Sequence, residues 1–166
     1  MPSFDPYDGE EIRLRLLDFL RTAAGPDVEI GPLRRYTVGF SWITFGFSAR
    51  WTAEEGPVAR DLILRVGPPN GIFGPYKASP EFLTLKSLAG SGVPVPAAHW
   101  YSDDDAILGA PFFVCDLVPG DAPVPWTRDG GPAFGEEDRR RLGGQFLGAL
   151  AALHGFEWRV TPAAAL

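Results

Sequence analysis

The sequence is poor in the residues that build disulfide frameworks and metal cages. Its 166 residues include one cysteine, Cys115, and two histidines, His99 and His154, which fall in different predicted elements. A single cysteine cannot form an internal disulfide, and the two histidines lack the spacing of metal ligands. We therefore expect a fold stabilised by its hydrophobic core, with no metal ligands in this chain and with Cys115 as a small, unreactive core residue.

Long apolar runs and excess positive charge are also missing. Proline, glycine or a charged residue interrupts every apolar stretch before it reaches membrane-spanning length, and no basic segment followed by an apolar run opens the chain. The formal net charge is -6, and the one basic cluster, at 139–141, directly follows three acids. These features argue against membrane and nucleic-acid partners, and they favour a cytoplasmic protein.

The hydrophobic content of 45% is enough to bury one core, or a core with an appendage. Asp8 begins a predicted amphipathic helix as its N-cap, with apolar residues at helical spacing up to the break at 24–26. Segments 28–30 and 33–38 are typical of a first strand broken by Gly31 and Pro32. The N-terminal part therefore predicts one helix followed by a strand.

A β-hairpin is predicted from two consecutive strands. Residues 42–51 alternate between apolar and small or polar side chains, residues 53–57 form a turn, and residues 58–66 are β-branched and aliphatic with Arg65 near the end. The strand is predicted to be buried with this one charge held inside it, and a buried guanidinium needs an acceptor, for which Glu81 or a phosphate would serve. The alternative is that Arg65 points into water at the end of its strand.

The next segments predict a loop, a helix and two further strands. Residues 67–75 are too rich in glycine and proline for regular structure, and Ser79 is the predicted N-cap of a helix that carries Glu81 in its first turn and ends at Gly90. Extended chain at 93–98 leads into 99–101, the acids at 103–105 form a solvated turn, and 112–118 is a strand.

The C-terminal part predicts a linker and one more helix. Residues 119–135 have linker composition, and residues 136–154 carry an apolar face at helical intervals. Little chain follows that could cover this face, whose members are Leu142, Phe146, Leu150 and Leu153. We therefore expect self-association, or docking on a partner chain, through the 142–153 face.

Several segments taken together resemble the aminoglycoside phosphotransferase family, which has a protein-kinase-like fold. The segments are 39–44, 62–65, Glu81, 112–120 and 150–154. The resemblance implies an α+β fold: a kinase-like N-lobe with an antiparallel sheet of about five strands and a packed helix, then a linker and a trailing helix. The implied divisions are 1–118 for the lobe, 119–135 for the hinge or linker, and 136–166 for the start of a second lobe.

The resemblance also implies a nucleotide site. Gly39 and Ser41 correspond to the loop that holds the ATP phosphates, although the family often has asparagine where this chain has Trp42. Arg65 takes the place of the strand lysine that contacts the α- and β-phosphates, and Glu81 takes the place of its helix partner. The alternatives are that Gly39 only forms a tight turn and that Glu81 only complements its helix dipole.

Asp116 and Val118 correspond to the hinge that reads adenine through backbone groups. ATP and Mg²⁺ are thus implied as cofactors, with a small-molecule hydroxyl as acceptor in the complete enzyme. The catalytic Asp and the magnesium-binding Asn and Asp of such enzymes are absent from this sequence, because the segment from His154 to Glu157 has Phe156 at the acid position. We therefore expect a truncated enzyme, inactive alone. The alternative is a non-catalytic module that pairs with another chain.

Overall fold

A six-stranded antiparallel sheet with helices on both faces forms the body of the protein. The computed structural model describes residues 8–37, 41–69, 71, 74–120 and 135–166. The strands are β1 (Glu29–Ile30), β2 (Arg34–Tyr36), β3 (Ile43–Ala53), β4 (Gly56–Val66), β5 (Ala98–Ser102) and β6 (Phe112–Asp116). The helices are α1 (Gly9–Ala23), α2 (Ser79–Leu88), α3 (Asp105–Leu108) and α4 (Glu136–His154), followed by 3₁₀ turns at Trp158–Val160 and Pro162–Ala165.

The hairpin of β3 and β4 is the centre of the sheet. The two strands pair along their whole length, from Ile43 opposite Val66 to Ala53 opposite Gly56. β6 pairs with β4 and β5 lies outside it, while β1 and β2 both pair with β3. The predicted broken first strand and the hairpin are therefore confirmed. The predicted turn at 53–57 is too wide, because the strands continue to a two-residue turn and Gly56 adopts a positive φ of 121° beside it.

Strand alternation separates two core layers. Leu62, Leu64 and Val66 lie on the face covered by α1 and α3, together with the apolar face of β3. Ile63 faces the opposite layer, where α2 packs on Phe113 and Cys115 of β6. Because Arg65 is two residues after Ile63, it also lies on the α2 side. The sheet thus directs a cation toward the helix that carries Glu81.

Both ends of the α1 prediction are confirmed. The Asp8 side chain accepts hydrogen bonds from the backbone N–H groups of Glu10 and Glu11 at 2.9 and 3.2 Å, and it therefore caps the helix. Ile12, Leu16 and Leu20 are fully buried against the sheet. Burial of three such side chains stabilises the contact by about 5 kcal/mol before entropy costs.

The start of α2 differs from the prediction. Ser79 is the first helical residue rather than the N-cap, and the N-cap Ala78 has no side chain that can accept a hydrogen bond. The acceptor comes from another element: an oxygen of Asp103 accepts from the N–H groups of both Ala78 and Ser79. The expectation that 103–105 is merely a solvated turn is therefore wrong for Asp103.

The sequence analysis also missed α3. This four-residue helix begins after Asp104, whose side chain accepts from the N–H of Ala106 at 2.9 Å, and it ends at Gly109 in the left-handed conformation. Leu108 is fully buried in the layer under α1. A single turn is too short to produce a helical period in the sequence, so only its cap and its terminal glycine could have indicated it.

The bounds predicted for the trailing helix are confirmed, since α4 runs from Glu136 to His154. None of its residues is buried, and Phe146 and Leu147 are 67% and 64% exposed. The predicted linker lies largely outside the described residues, which resume at Gly135. In the described part of the chain, no helix combines the length and apolar character needed to cross a membrane.

Candidate functional site

A cleft of about 510 Å³ opens between the sheet and the start of α2. It lies where β3 begins and β4 ends, and it is lined there by Arg65 of β4 and by the two residues before β3, Ser41 and Trp42. The lining residues are Ser41, Trp42, Arg65, Pro75, Tyr76, Lys77, Pro80 and Glu81. The volume falls in the range of small-molecule sites, and the lining combines two cations with one acid, a hydroxyl and two aromatic rings. This set of side chains is suited to a ligand that has an anionic group attached to a planar ring.

Arg65 and Glu81 form a hydrogen-bonded ion pair inside this cleft. The guanidinium Nη1 of Arg65 donates to Oε1 of Glu81 across the gap between β4 and α2. Their side chains are 28% and 37% exposed, so both remain accessible from the cleft. The sequence therefore predicted the pairing correctly, while the cation is half-buried rather than held inside the strand layer. An accessible guanidinium keeps further N–H donors for a ligand anion.

Two aromatic rings contact the Arg65 guanidinium. Its central carbon lies 5.6 Å from the Trp42 ring centre and 5.5 Å from the Phe113 ring centre. Trp42 also meets Phe113 and Tyr76 edge to face, with centroid distances of 5.4 and 5.2 Å. A planar guanidinium is attracted to such ring faces. Arg65 is thus fixed by Glu81 on one side and by aromatic rings on others.

Lys77 is the cleft residue that the sequence analysis missed. It lies on the exposed segment immediately before α2 and lines the same cleft as Arg65. Lys77 stands two residues before the predicted start of a helix, and this position was the available signal in the sequence. The positive end of a helix dipole disfavours a nearby cation, so a lysine there often indicates that an anion binds at the same place. Ser41, two residues before β3, also lines the cleft, and its predicted contact with phosphate stays a prediction. Gly39, the other predicted loop residue, lies outside the described residues.

The predicted hinge residues are not part of this cleft. Arg65 pairs with Phe113 across β4 and β6, whereas Asp116 pairs with Leu62, three residues and about 10 Å further along the strand. The Asp116 carboxylate contacts Nε2 of His99 at 2.6 Å and Nη1 of Arg60 at 3.4 Å. Its side chain therefore anchors the end of β6, and only its backbone remains relevant to the predicted role.

Backbone hydrogen bonds restrict what this hinge can offer a ligand. The N–H of Asp116 donates to the Ala97 carbonyl at 2.9 Å, and the N–H of Leu117 donates to the Asp61 carbonyl at 3.0 Å. Val118 follows and is 68% exposed. Two donors in this stretch are thus already used by the sheet, and the next backbone N–H along the chain is that of Val118.

Cys115 lies one residue before this hinge and is buried in the layer under α2. Burial raises the pKa of its thiol to about 11, although the positive charge of Arg65 acts in the opposite direction. The thiol is therefore protonated at neutral pH and is not a nucleophile there, in agreement with the sequence analysis.

Metal ligands do not converge anywhere in the residues that the structure describes. Among them, no three His, Cys, Asp or Glu side chains form a group that could hold a metal ion. In the cleft, the one carboxylate, Glu81, is already paired with Arg65. The described residues of the cleft alone therefore do not provide a magnesium site.

Comparisons with known proteins agree with this geometry. The sequence profile of the phosphotransferase enzyme family matches residues 43–165. The crystal structure of a "putative aminoglycoside phosphotransferase" from Ralstonia eutropha is similar to this chain with a TM-score of 0.62 at 19% identity, over 88% of this chain and 39% of that one. At this identity the likeness shows the fold alone. The predicted α+β kinase-like lobe with a trailing helix is thereby confirmed.

Another known protein is similar to a shorter part of this chain. Acyl-CoA dehydrogenase family member 10 of Mus musculus is 36% identical over 62 residues, which are 37% of this chain and 6% of the mouse protein. This chain therefore spans well under half the length of these two proteins.

Proposed function

This chain belongs to the phosphotransferase enzyme family, and from that premise we propose that residues 8–120 hold ATP for transfer of its γ-phosphoryl group to a small-molecule hydroxyl. The observation that carries the proposal is the cleft in which Arg65 and Glu81 pair beside Lys77 and Ser41. A phosphate chain requires several donors and positive charges at one end of a site. The described cleft has them together.

Each cleft residue then has a separate role toward the triphosphate. Arg65 donates from the guanidinium N–H groups that Glu81 does not use, and Glu81 fixes the orientation of the guanidinium. Lys77, on the exposed side, adds a mobile point charge, and Ser41 donates a hydroxyl hydrogen bond. Gly39 would extend this grip through its backbone, as the family resemblance implies.

Adenine is the part of the ligand that the hinge would read. We infer that it binds beside Asp116 and Val118, about 10 Å along the strand from Arg65. Because the N–H groups of Asp116 and Leu117 are engaged in the sheet, the Val118 N–H is the expected donor to the base. Cys115 forms the apolar floor before it.

Magnesium would neutralise charge on the β- and γ-phosphates when it is bound. The described residues do not fit a metal ion by themselves, so the metal would be carried by the phosphates and by ligands outside them. For the same reason we propose that this chain alone binds nucleotide without transferring phosphate. A hydroxyl-bearing acceptor would require residues beyond the described lobe.

The second candidate is a non-catalytic module that pairs with another chain. The observation that favours it is α4, whose apolar residues are exposed among the described elements. An exposed patch of large apolar side chains is typical of an interaction surface. The two candidates differ in whether nucleotide binds at all.

Calorimetric titration of this chain with ATP, ADP, AMP and adenosine, with and without magnesium, tests the proposal. We expect affinity to rise from adenosine to ATP, because each added phosphate meets the cations of the cleft. GTP serves as the control for reading of the base and should bind more weakly than ATP. Equal affinity for adenosine and ATP, or no binding of either, would contradict the proposal and favour the binding module.

A further inference from the structure

The beginning of α2 is held by a residue from a different part of the chain. Oδ1 of Asp103 lies 2.5 Å from the backbone N of Ala78 and 3.1 Å from that of Ser79, and both N–H groups donate to it. The helix itself supplies no side-chain cap, because Ala78 occupies the N-cap position. The turn after β5 therefore satisfies the donors that α2 leaves free.

The charge of Asp103 strengthens this contact. Partial burial favours the neutral acid, but hydrogen bonds from Ser79 and Ala78, with the nearby charge of Lys77, outweigh it and hold the pKa of Asp103 below its usual value. The carboxylate is thus ionised at neutral pH and faces the positive end of a helix dipole. A charged acceptor of this kind is stronger than a neutral cap.

The cap and the phosphate cleft share one helical turn. Ser79 donates to Asp103, and Glu81, two residues later, accepts from Arg65. Ala78 is fully buried in the layer between α2 and the sheet. At the other end of the helix, Ser87 accepts from the N–H of Ala163 at 3.0 Å. The far end is therefore fixed independently, and at the first turn Asp103 supplies the side-chain acceptor for the backbone N–H groups.

We propose that Asp103 is a positioning residue for the nucleotide cleft. It holds the first turn of α2 so that Glu81 meets Arg65, and through this pair it orients the guanidinium that faces the phosphates. Asp103 itself touches neither Arg65 nor the ligand. Its effect on ATP rests on the proposed function, whereas its effect on the Arg65–Glu81 pair does not.

The test that is independent of nucleotide is NMR of the folded chain. Protection of the Arg65 guanidinium protons from solvent exchange reports the pair directly, and Glu81→Ala, which removes the acceptor oxygen, defines the signal without it. Asp103→Ala should reduce protection at Arg65 and at the Ala78 and Ser79 amides. Asp104→Ala is the matched control, because it removes the cap of α3 and leaves α2 untouched. Unchanged Arg65 protection in folded Asp103→Ala would overturn the proposal.

The second test measures whether Asp103 and Glu81 are energetically coupled in ATP binding. Asp103→Ala should weaken ATP by about three- to ten-fold and leave adenosine within about two-fold, because a cap contributes moderately and the proposed route of its effect is Glu81. In a Glu81→Ala background the same change should cost less than about two-fold. An equal loss in both backgrounds would mean that Asp103 does not act through Glu81, and would overturn the proposal.

Two further results distinguish a failure of the proposed function from a failure of the proposed role of Asp103. If the wild-type chain binds no ATP, the proposed function fails while the NMR test still decides the role of Asp103. If Asp103→Ala does not fold, Asp103→Asn replaces it, since asparagine keeps an acceptor oxygen and loses the charge. That variant should show protection at Arg65 between wild type and Glu81→Ala. Protection equal to wild type would count against a role for the charge.

Discussion

At the residue scale, the choice of arginine over lysine at position 65 determines what its neighbours must do. A lysine ammonium is a compact point charge, whereas a guanidinium is planar and must be held in one orientation. Trp42 and Phe113 lie against Arg65 at about equal distances, and Glu81 accepts from it. Trp42, which departs from the asparagine frequent in the family, therefore has a physical role as part of this clamp.

The clamp predicts the effect of replacing Trp42. Trp42→Ala should weaken ATP binding by roughly three- to thirty-fold, because a cation–π contact contributes about 0.5 to 2 kcal/mol. Adenosine should be affected less than two-fold, and Trp42→Phe should recover most of the loss because it keeps a ring face. Titration calorimetry measures all three.

Trp51→Ala is the control for this change. Trp51 lies on β3, the strand that follows Trp42, but packs against Trp100, away from the cleft. It should leave the ratio of ATP to adenosine affinity unchanged. Equal ATP affinity in Trp42→Ala and wild type would show that the rings do not orient Arg65 for a ligand.

The sequence allowed prediction of Arg65 and Glu81 because the cost of burying a charge demands a partner, and Glu81 was the nearest acid on a predicted helix. Lys77 and Asp103 were not predictable by the same reasoning. Both lie in irregular segments, and the contact of Asp103 with α2 spans 24 to 25 residues of sequence. Neither periodicity nor charge balance indicates where an exposed acid finds its backbone donors.

At the element scale, the predictions were correct where the spacing of apolar side chains repeats over several helical turns or along a long strand. The hairpin, α1 and α4 all have such periods. The two-residue turn was predicted too wide because Ala53 and Gly56 are poor strand formers, and pairing between two long strands overrides that propensity. α3 was not predicted because a helix of a single turn is too short for its apolar residues to repeat at helical spacing.

The exposed face of α4 predicts self-association of this chain. Phe146 and Leu147 together expose large apolar surfaces, and their burial in a dimer would contribute about 3 to 6 kcal/mol before association costs. Sedimentation should therefore show dimers or larger species at micromolar concentration. The double change Phe146→Ser and Leu147→Ser should shift the chain to monomer.

Leu14→Ser is the matched control for this prediction, since Leu14 is a 52% exposed leucine on α1. It should leave the sedimentation profile unchanged. A clean wild-type monomer that binds no hydrophobic dye would show that the α4 face does not drive association.

At the scale of the whole molecule, carboxylates join distant segments. Asp103 joins β5 to α2, and Asp27 accepts from the N–H of Thr52 at 3.0 Å, which joins the segment after α1 to the end of β3. The hydrogen bond from Thr52 lowers the pKa of Asp27, and the contacts described above lower that of Asp103. Folding is thus linked to pH through both groups.

The direction of this linkage gives a stability prediction. Both pKa values are lower in the folded state, so the stabilisation is complete above the unfolded value of about 3.9 and is lost as pH falls through the folded values. The urea midpoint should be nearly constant between pH 7 and 5 and should fall below about pH 4. Circular dichroism measures this midpoint.

Asp103→Asn should have a lower midpoint at neutral pH and a smaller fall below about pH 4. Glu54→Gln, in the exposed turn between β3 and β4, is the control and should follow the wild-type curve. An Asp103→Asn variant with the full acid-dependent fall would contradict the assignment of this linkage to Asp103.

The measurement that tests the account most directly is the ratio of ATP to adenosine affinity in Arg65→Ala. A charge-assisted contact contributes about 1.5 to 3 kcal/mol, so ATP should bind roughly ten- to a hundred-fold more weakly while adenosine changes less than about two-fold. Arg50→Ala, a cation on β3 outside the cleft, should leave both affinities unchanged. Equal ATP affinity in folded Arg65→Ala and wild type would contradict the account and leave Arg65 as a cation at a strand end.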